Sequence, residues 1–165
     1  TALSEKVRVF RVGGASRAET VRNGVSVLLE QGLTEAQDNI LVHDAARCCL
    51  PVEALTRLLN EAGENDEGGI LAIPVADTLK RSDGSHHIDE TVARVGLWQA
   101  QTPQLFQTAL LHRALSVDDL SEITDEASAI EKLGIRPRLV QGDTRNLKLT
   151  LPQDEYIVRL LLKAV

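Results

Sequence analysis

Asp44 and Arg47 stand three residues apart, directly after the apolar run Asn39-Ile40-Leu41-Val42. That pairing suits a metal-bound phosphate. A hard divalent cation prefers carboxylate oxygen, and Mg²⁺ is usually held by one or two carboxylates together with substrate phosphates. Arginine offers phosphate a flat fork of donors. The position fits as well, because in open α/β sheets ligands sit beyond the carboxyl ends of strands. From these residues alone a structural reading stands beside the chemical one: Asp44 caps the turn and Arg47 is a surface charge.

Gly13 and Gly14 end a second alternating run just ahead of a helix start. Glycine lets backbone approach a ligand closely, and a helix N-terminus favours anions. The same pair is also an ordinary turn. Lys148, flanked by apolar neighbours in Asn146-Leu147-Lys148-Leu149-Thr150, reads by itself as a solvated strand lysine. Thr124-Asp125 is a helix start, where an acid is favoured by the dipole alone. Cys48 and Cys49 are adjacent and rarely bridge each other. With no C-x-x-C pair or second cluster, a zinc site is not expected. His86 and His87 read as solvated turn residues.

The elements that must position these groups alternate. Residues 7–12 alternate as a strand does. Ser16 with Glu19 forms a capping box ahead of a face of Val21, Val25, Leu28 and Leu29, and Gly32 closes that helix. A strand over 39–43 follows, then a helix from Pro51 to about Asn60. The nearly continuous apolar run 69–75 suits a strand buried on both faces. Residues 78–81 and 90–94 read as a polar hairpin around Ser82-Asp83-Gly84-Ser85, an arm over about 77–97 without an apolar face of its own. Helices are expected over 107–116, 124–133 and 152–164, the last capped by Thr150 with a Tyr156, Ile157, Leu160, Leu161 face. A strand is expected over 138–140. Alternation of this kind predicts an α/β sandwich with a mostly parallel sheet in a single domain, 1–165.

Five segments, in this order, resemble the 2-C-methyl-D-erythritol 4-phosphate cytidylyltransferase family of the non-mevalonate isoprenoid pathway: V-H-D-A-A-R at 42–47, G-G-I-L-A-I-P-V-A-D-T-L-K at 68–80, G-L-W-Q-A-Q-T-P-Q-L-F at 96–106, I-T-D-E-A-S-A at 123–129 and G-D-T-R-N-L-K-L-T at 142–150. The resemblance runs from about Val12 to the C-terminus. It implies a Rossmann-like nucleotidyltransferase sandwich with a protruding β-arm that embraces a second subunit. It implies cytidylyl transfer from CTP to methylerythritol phosphate, with Mg²⁺ or another divalent cation. By the same resemblance Asp44 holds the metal. Arg47 positions the phosphate substrate or orders that loop, and Lys148 stabilises charge at the phosphates. Gly13, Gly14 and Thr20 lie on the cytidine side, where Ala15 replaces an Asp of some members. Thr102 contacts substrate, and Thr78 and Arg94 reach from the arm into the other subunit's site. The family's P-A-A-G-x-G-x-R loop and P-K-Q-Y segment are not among the 165 residues. The chain as given is therefore expected to hold only part of the site and to bind CTP weakly alone.

Composition sets outer bounds. A net charge of −6 argues against broad nucleic-acid binding, although an acidic protein can bind anions through a local cluster, for which Arg17, Arg22, Arg47, Arg94 and Lys148 are candidates. Apolar residues make up 43%, with Phe10, Trp98, Phe106 and Tyr156 as the aromatics, so the core must be aliphatic. No apolar run reaches the ~18 residues of a membrane span, and the start carries no signal-peptide pattern; a cytoplasmic protein is expected. Two rival readings remain: a ribitol 5-phosphate cytidylyltransferase, and a non-catalytic dimerisation or binding module.

Overall fold

The computed structural model describes residues 6–163. The first five residues, which begin the segment read above for a signal pattern, and the end of the last expected helix lie outside the described residues. Helix α1 (Arg17–Glu30) starts where Ser16 Oγ accepts the Glu19 N–H at 3.1 Å. Glu19 answers one residue further back than the expected box, accepting the Ala15 N–H at 2.7 Å. Gly32, at φ 61°, closes the helix, with Leu33 N–H on Leu28 O at 2.9 Å and Gly32 N–H on Leu29 O at 3.0 Å. This is the paired 6→1 and 5→2 termination that a left-handed residue permits.

Strand β1 (Asn39–Val42), helix α2 (Val52–Ala62) behind Pro51, and strand β2 (Gly69–Pro74) follow. Strands β3 (Leu79–Ser82) and β4 (Ile88–Val92) form the hairpin. Then come β5 (Trp98–Gln107), α3 (Thr108–Leu115), α4 (Glu126–Glu131), β6 (Arg138–Gln141) and α5 (Asp154–Lys163). The main sheet has the order β1-β5-β2-β6. Strands β1, β2 and β6 share one direction, and β5 runs against them between β1 and β2.

Consecutive residues of a strand point to opposite faces, and here both faces are covered. Ile70 and Phe106 pack with Val25, Leu111, Leu115 and Ile130 from α1, α3 and α4. Their neighbours Leu71 and Leu105 pack with Ala54, Leu58 and Ala62 of α2 and Val140 of β6. This explains the uninterrupted apolar run in β2, which has no solvent face to make polar.

Several sequence expectations need correction. Residues 7–12 alternate but join no ladder among the described residues; Val9 is 72% exposed, and at the run's end Asn23 Nδ2 donates to Val12 O at 3.0 Å. Lys148 lies in a loop, not a strand, because residues 142–150 lie against the 43–51 loop, with Leu149 N–H on Ala46 O at 2.9 Å. Helix α5 begins two residues beyond Pro152, and Asp154, not Thr150, makes the cap contacts: its Oδ2 accepts from Thr150 N at 2.9 Å and Leu151 N at 2.8 Å. That helix buries Val158, while Tyr156 and Leu160 face outward.

The hairpin stands apart as its own two-stranded sheet, with Leu79 opposite Val92 and Arg81 opposite Glu90. Arg81 Nε meets Glu90 Oε1 at 2.6 Å, and Asp83 Oδ1 caps the turn by accepting from Ser85 N at 2.8 Å and His87 N at 3.0 Å. The arm is less polar than its sequence promises, since Ile88 is 67% and Val95 at its base 95% exposed.

Candidate active site

The loop after β1, the buried middle of β5, the first turn of α1, the N-terminus of α4 and the 142–150 loop converge on one small cavity of about 230 Å³. Asp44, Arg47, Thr102 and Lys148 line it, together with Arg17 and Gln104. A second cavity of about 330 Å³ adjoins it and shares Arg47 and Lys148, with Ile73 and Gln99 on its far side. Four of the residues given a chemical role in the sequence therefore come together, and Thr124 and Asp125, read there as a helix start, line the same cavity.

Asp44 is the centre of charge. Arg17 Nε and Nη2 each lie 3.1 Å from its Oδ1, and Lys148 Nζ lies 3.0 Å from its Oδ2. Burial would push the Asp44 carboxyl up, but the Lys148 hydrogen bond and the Arg17 charge outweigh it and hold the group below the usual carboxylate range. Arg17 in turn is gripped by the buried Glu126, Nη1 to Oε1 at 2.6 Å. Burial opposes the Arg17 charge, yet Glu126 and Asp44 together raise its pKa above the ordinary value.

Arg47 is nearly enclosed. Its Nη1 donates to Asn146 O at 2.6 Å, while its Nε has no hydrogen-bond partner and sits 3.9 Å from Asp44 Oδ2. Burial lowers its pKa, only partly offset by Asp44. A buried donor without an acceptor is costly, and an anion entering the cavity would supply one.

Backbone and hydroxyl groups fix the Asp44 loop. The Asp44 N–H donates to Thr102 Oγ1 at 3.0 Å. His43 Nε2 faces Arg47 O at 2.9 Å, a carbonyl that can only accept, so Nε2 carries the proton; in that neutral tautomer Nδ1 accepts from the Thr102 hydroxyl at 3.0 Å. Asn146, fully buried, donates from Nδ2 to Thr102 O at 2.8 Å and holds the loop that carries Lys148. His43, Glu126 and Asn146 were not singled out in the sequence; Arg17 stood there as one of five candidates for a local anion-binding cluster, and it lines the cavity with two of the others, Arg47 and Lys148. Asn146 alone had a local signal, its N-x-K spacing to Lys148.

The glycine segment lies outside this cavity lining but is joined to it through α1. Gly14 N–H donates to Thr20 Oγ1 at 3.0 Å, and Thr20 Oγ1 donates to Ser16 O at 3.0 Å. A Cβ at Gly14 would collide with the Glu19 side chain, whereas Gly13 faces open space. Arg17, one turn from Thr20, carries this segment's position to Asp44. Thr78 and Arg94 do not line the cavity. Both are exposed and flank β3 and β4 at the base of the arm instead of lying within the strands.

Among the described residues no three His, Cys, Asp or Glu side chains cluster as a metal cage. Two carboxylates, Asp44 and Asp125, line the cavity; Asp125 is engaged by Gln104 Nε2 at 2.9 Å and Ser128 N at 2.8 Å, which leaves Asp44, amid cationic side chains, as the available metal ligand. That matches the Mg²⁺ mode in which phosphate oxygens and water complete the shell, and does not match a site built wholly from protein.

Helices on both faces of a sheet, with an acid and three cationic side chains gathered beyond the end of a strand, suit an α/β enzyme that handles phosphate groups, as nucleotidyltransferases do. Residues 2–164 match the 2-C-methyl-D-erythritol 4-phosphate cytidylyltransferase family, and the chain belongs to it. A curated protein of that name from Neisseria gonorrhoeae (strain NCCP11945) is 71% identical over 160 residues, which are 97% of this chain and 69% of that protein. The Chromobacterium violaceum protein of the same name is 51% identical, covering 96% of this chain and 69% of its own length. A crystal structure of 4-diphosphocytidyl-2C-methyl-D-erythritol synthase superposes with a TM-score of 0.90 at 70% identity, over 94% of this chain and 72% of that one. The Francisella tularensis enzyme of the family superposes at 0.81 with 32% identity, over 90% of this chain and 69% of its own. Among the described residues no helix is long and apolar enough to cross a membrane.

Proposed function

We propose that this chain transfers a cytidylyl group from CTP to 2-C-methyl-D-erythritol 4-phosphate, releasing pyrophosphate, in the cytoplasm. The observation that carries the residue assignment is the Asp44–Lys148–Arg47 grouping, whose cavity of about 230 Å³ is sized for phosphate groups rather than for a whole nucleotide. In the reaction a phosphate oxygen of the alcohol phosphate attacks the α-phosphorus of CTP and pyrophosphate leaves. The protein does no covalent work; it positions the reactants and neutralises charge.

Lys148, 46% exposed on a flexible stem and paired with Asp44 Oδ2 at 3.0 Å, moves from Asp44 to the phosphates and stabilises charge there. Arg47, with its unpartnered Nε, takes a phosphate oxygen of the substrate. The Thr102 hydroxyl holds the Asp44 backbone and touches the substrate. Gly13, Gly14 and Thr20 lie along the cytidine end. Asp44 holds Mg²⁺ or a similar cation, which when bound neutralises triphosphate oxygens. Thr78 and Arg94 serve the site of a second subunit in a homodimer formed through the arm, a reading supported by their absence from their own cavity's lining and by the exposed Ile88 and Val95.

A pyrophosphate-release assay with Asp44→Asn tests the core of this reading. The substitution keeps the shape and removes the charge, and turnover should fall at least ~100-fold, the scale of losing an electrostatic partner of the transition state. Wild-type turnover at saturating Mg²⁺ would sink the assignment.

A further inference from the structure

Glu126 opens α4, is 1% exposed, and has no part in the reaction steps above. Its carboxylate takes Arg17 Nη1 at 2.6 Å and Nη2 at 3.1 Å. The remaining edge of the same guanidinium holds Asp44 Oδ1, through Nε and Nη2, each at 3.1 Å. One rigid fork thus joins two carboxylates that come from different elements. A buried ion pair seldom repays its desolvation as stability, so stability is a weak reason for this one.

Two features of the geometry point to a better reason. Lys148 reaches only Oδ2 and is 46% exposed, so it can follow a phosphate. Arg17 cannot follow, because Glu126 holds it from behind. Glu126 also shares the Arg17 charge; without it, Asp44 would be the one carboxylate paired with Arg17 as well as with Lys148.

We propose that Glu126 is a positioning residue: acting through Arg17 it fixes Oδ1 of Asp44 and presents Oδ2 to the cavity. This rests on the reading of Asp44 as the cation-binding carboxylate. Outer partners that orient a ligating carboxylate typically change metal affinity about 10- to 100-fold when altered.

The test measures Mn²⁺ binding at saturating CTP by the relaxation of water protons, which reports the enzyme-bound ion without turnover. Glu126→Gln keeps the length and removes the charge; Glu126→Asp keeps the charge and shortens the reach. Both should raise the half-saturating Mn²⁺ about tenfold. The double variant Arg17→Lys/Glu126→Asp should be no worse than Arg17→Lys alone, since Glu126 acts only through Arg17. Wild-type Mn²⁺ binding by Glu126→Asp overturns the inference, because charge alone would then suffice. Should the Glu126 variants fail to fold in a thermal melt, Arg17→Lys decides: the same charge without the fork should weaken Mn²⁺ binding, and no change overturns the proposal. Asp44→Asn separates the layers. If it binds Mn²⁺ like wild type, the metal reading falls and this inference with it. If it loses Mn²⁺ while the Glu126 variants keep it, only this inference falls.

Discussion

Lys148 Nζ sits 3.0 Å from Asp44 Oδ2, closing an ion pair between a loop and the end of a strand more than a hundred positions away in the chain. The lysine is nearly half exposed, and exposed pairs of this kind contribute little to stability. Its use is positional: the cation that would meet a phosphate is parked on the acid that would meet a metal. Both groups are charged and aimed before any ligand arrives.

That parking depends on Asn146. Its buried amide ties the 142–150 loop to β5 through Thr102 O at 2.8 Å and Gln101 Oε1 at 3.3 Å, and its own carbonyl takes Arg47 Nη1 at 2.6 Å. Asn146→Ala leaves the buried Thr102 carbonyl without its donor. The expected cost is about 1–3 kcal/mol in urea unfolding, with a fall in turnover because Lys148 loses its register. Unchanged turnover in the folded variant would show that Lys148 is placed without Asn146.

The same loop is held at its start by an acid with a pH signature. Asp143 accepts from Arg145 N at 2.8 Å and from Arg145 Nη2 at 2.8 Å. The Arg145 side-chain hydrogen bond is the main cause that holds the Asp143 carboxyl below its usual range, against a smaller opposing effect of burial. A depressed folded value means the stabilisation is fully present above the unfolded pKa of about 3.9 and is lost as pH falls through the folded one. The stability difference between wild type and Asp143→Asn should therefore be constant near neutrality and shrink in acid, below about pH 4. A difference that grows on acidification would reverse the sign and discard the assignment.

Periodicity made α1, α2, β1, β2, β6 and the hairpin legible, because each carries its pattern locally. The longest strand, β5, was not read as one. Pro103 and a polar run of Gln101, Thr102 and Gln104 argue against a central strand. The structure buries them because each polar group is satisfied: Gln101 Nε2 on Asp143 O at 2.9 Å, and Gln104 between Asp125 Oδ2 and Ala127 N–H, each at 2.9 Å. The ladder also shifts there, with two steps of β2 (Ile70 to Ala72) set against four of β5 (Gln104 to Ala100). The site was half legible. Asp44, Arg47 and Lys148 sit in recognisable runs. Glu126 and Arg17 lie 109 positions apart, and nothing local marks either as the other's partner. His43 matters only through the relay that runs from Asp44 N–H by way of Thr102 to Arg47 O.

The arm gives the most discriminating prediction. Thr78 and Arg94 flank its strands, are exposed, and line no part of the Asp44 cavity. If they serve the neighbouring subunit, Arg94→Ala should weaken the alcohol phosphate far more than CTP, because it removes a charge-assisted contact to one substrate only. Mixing subunits sharpens this. An Arg94→Ala protomer paired with an Asp44→Asn protomer creates one composite site in which both residues are intact and one in which both are altered. Activity should return to a fraction of wild type, although each parent homodimer is nearly inactive. Mixed dimers can be isolated with two different affinity tags, so their formation is checked apart from their activity. If they form and remain inactive, Arg94 acts within its own subunit, and the exposed Ile88 and Val95 do not mark a shared active site.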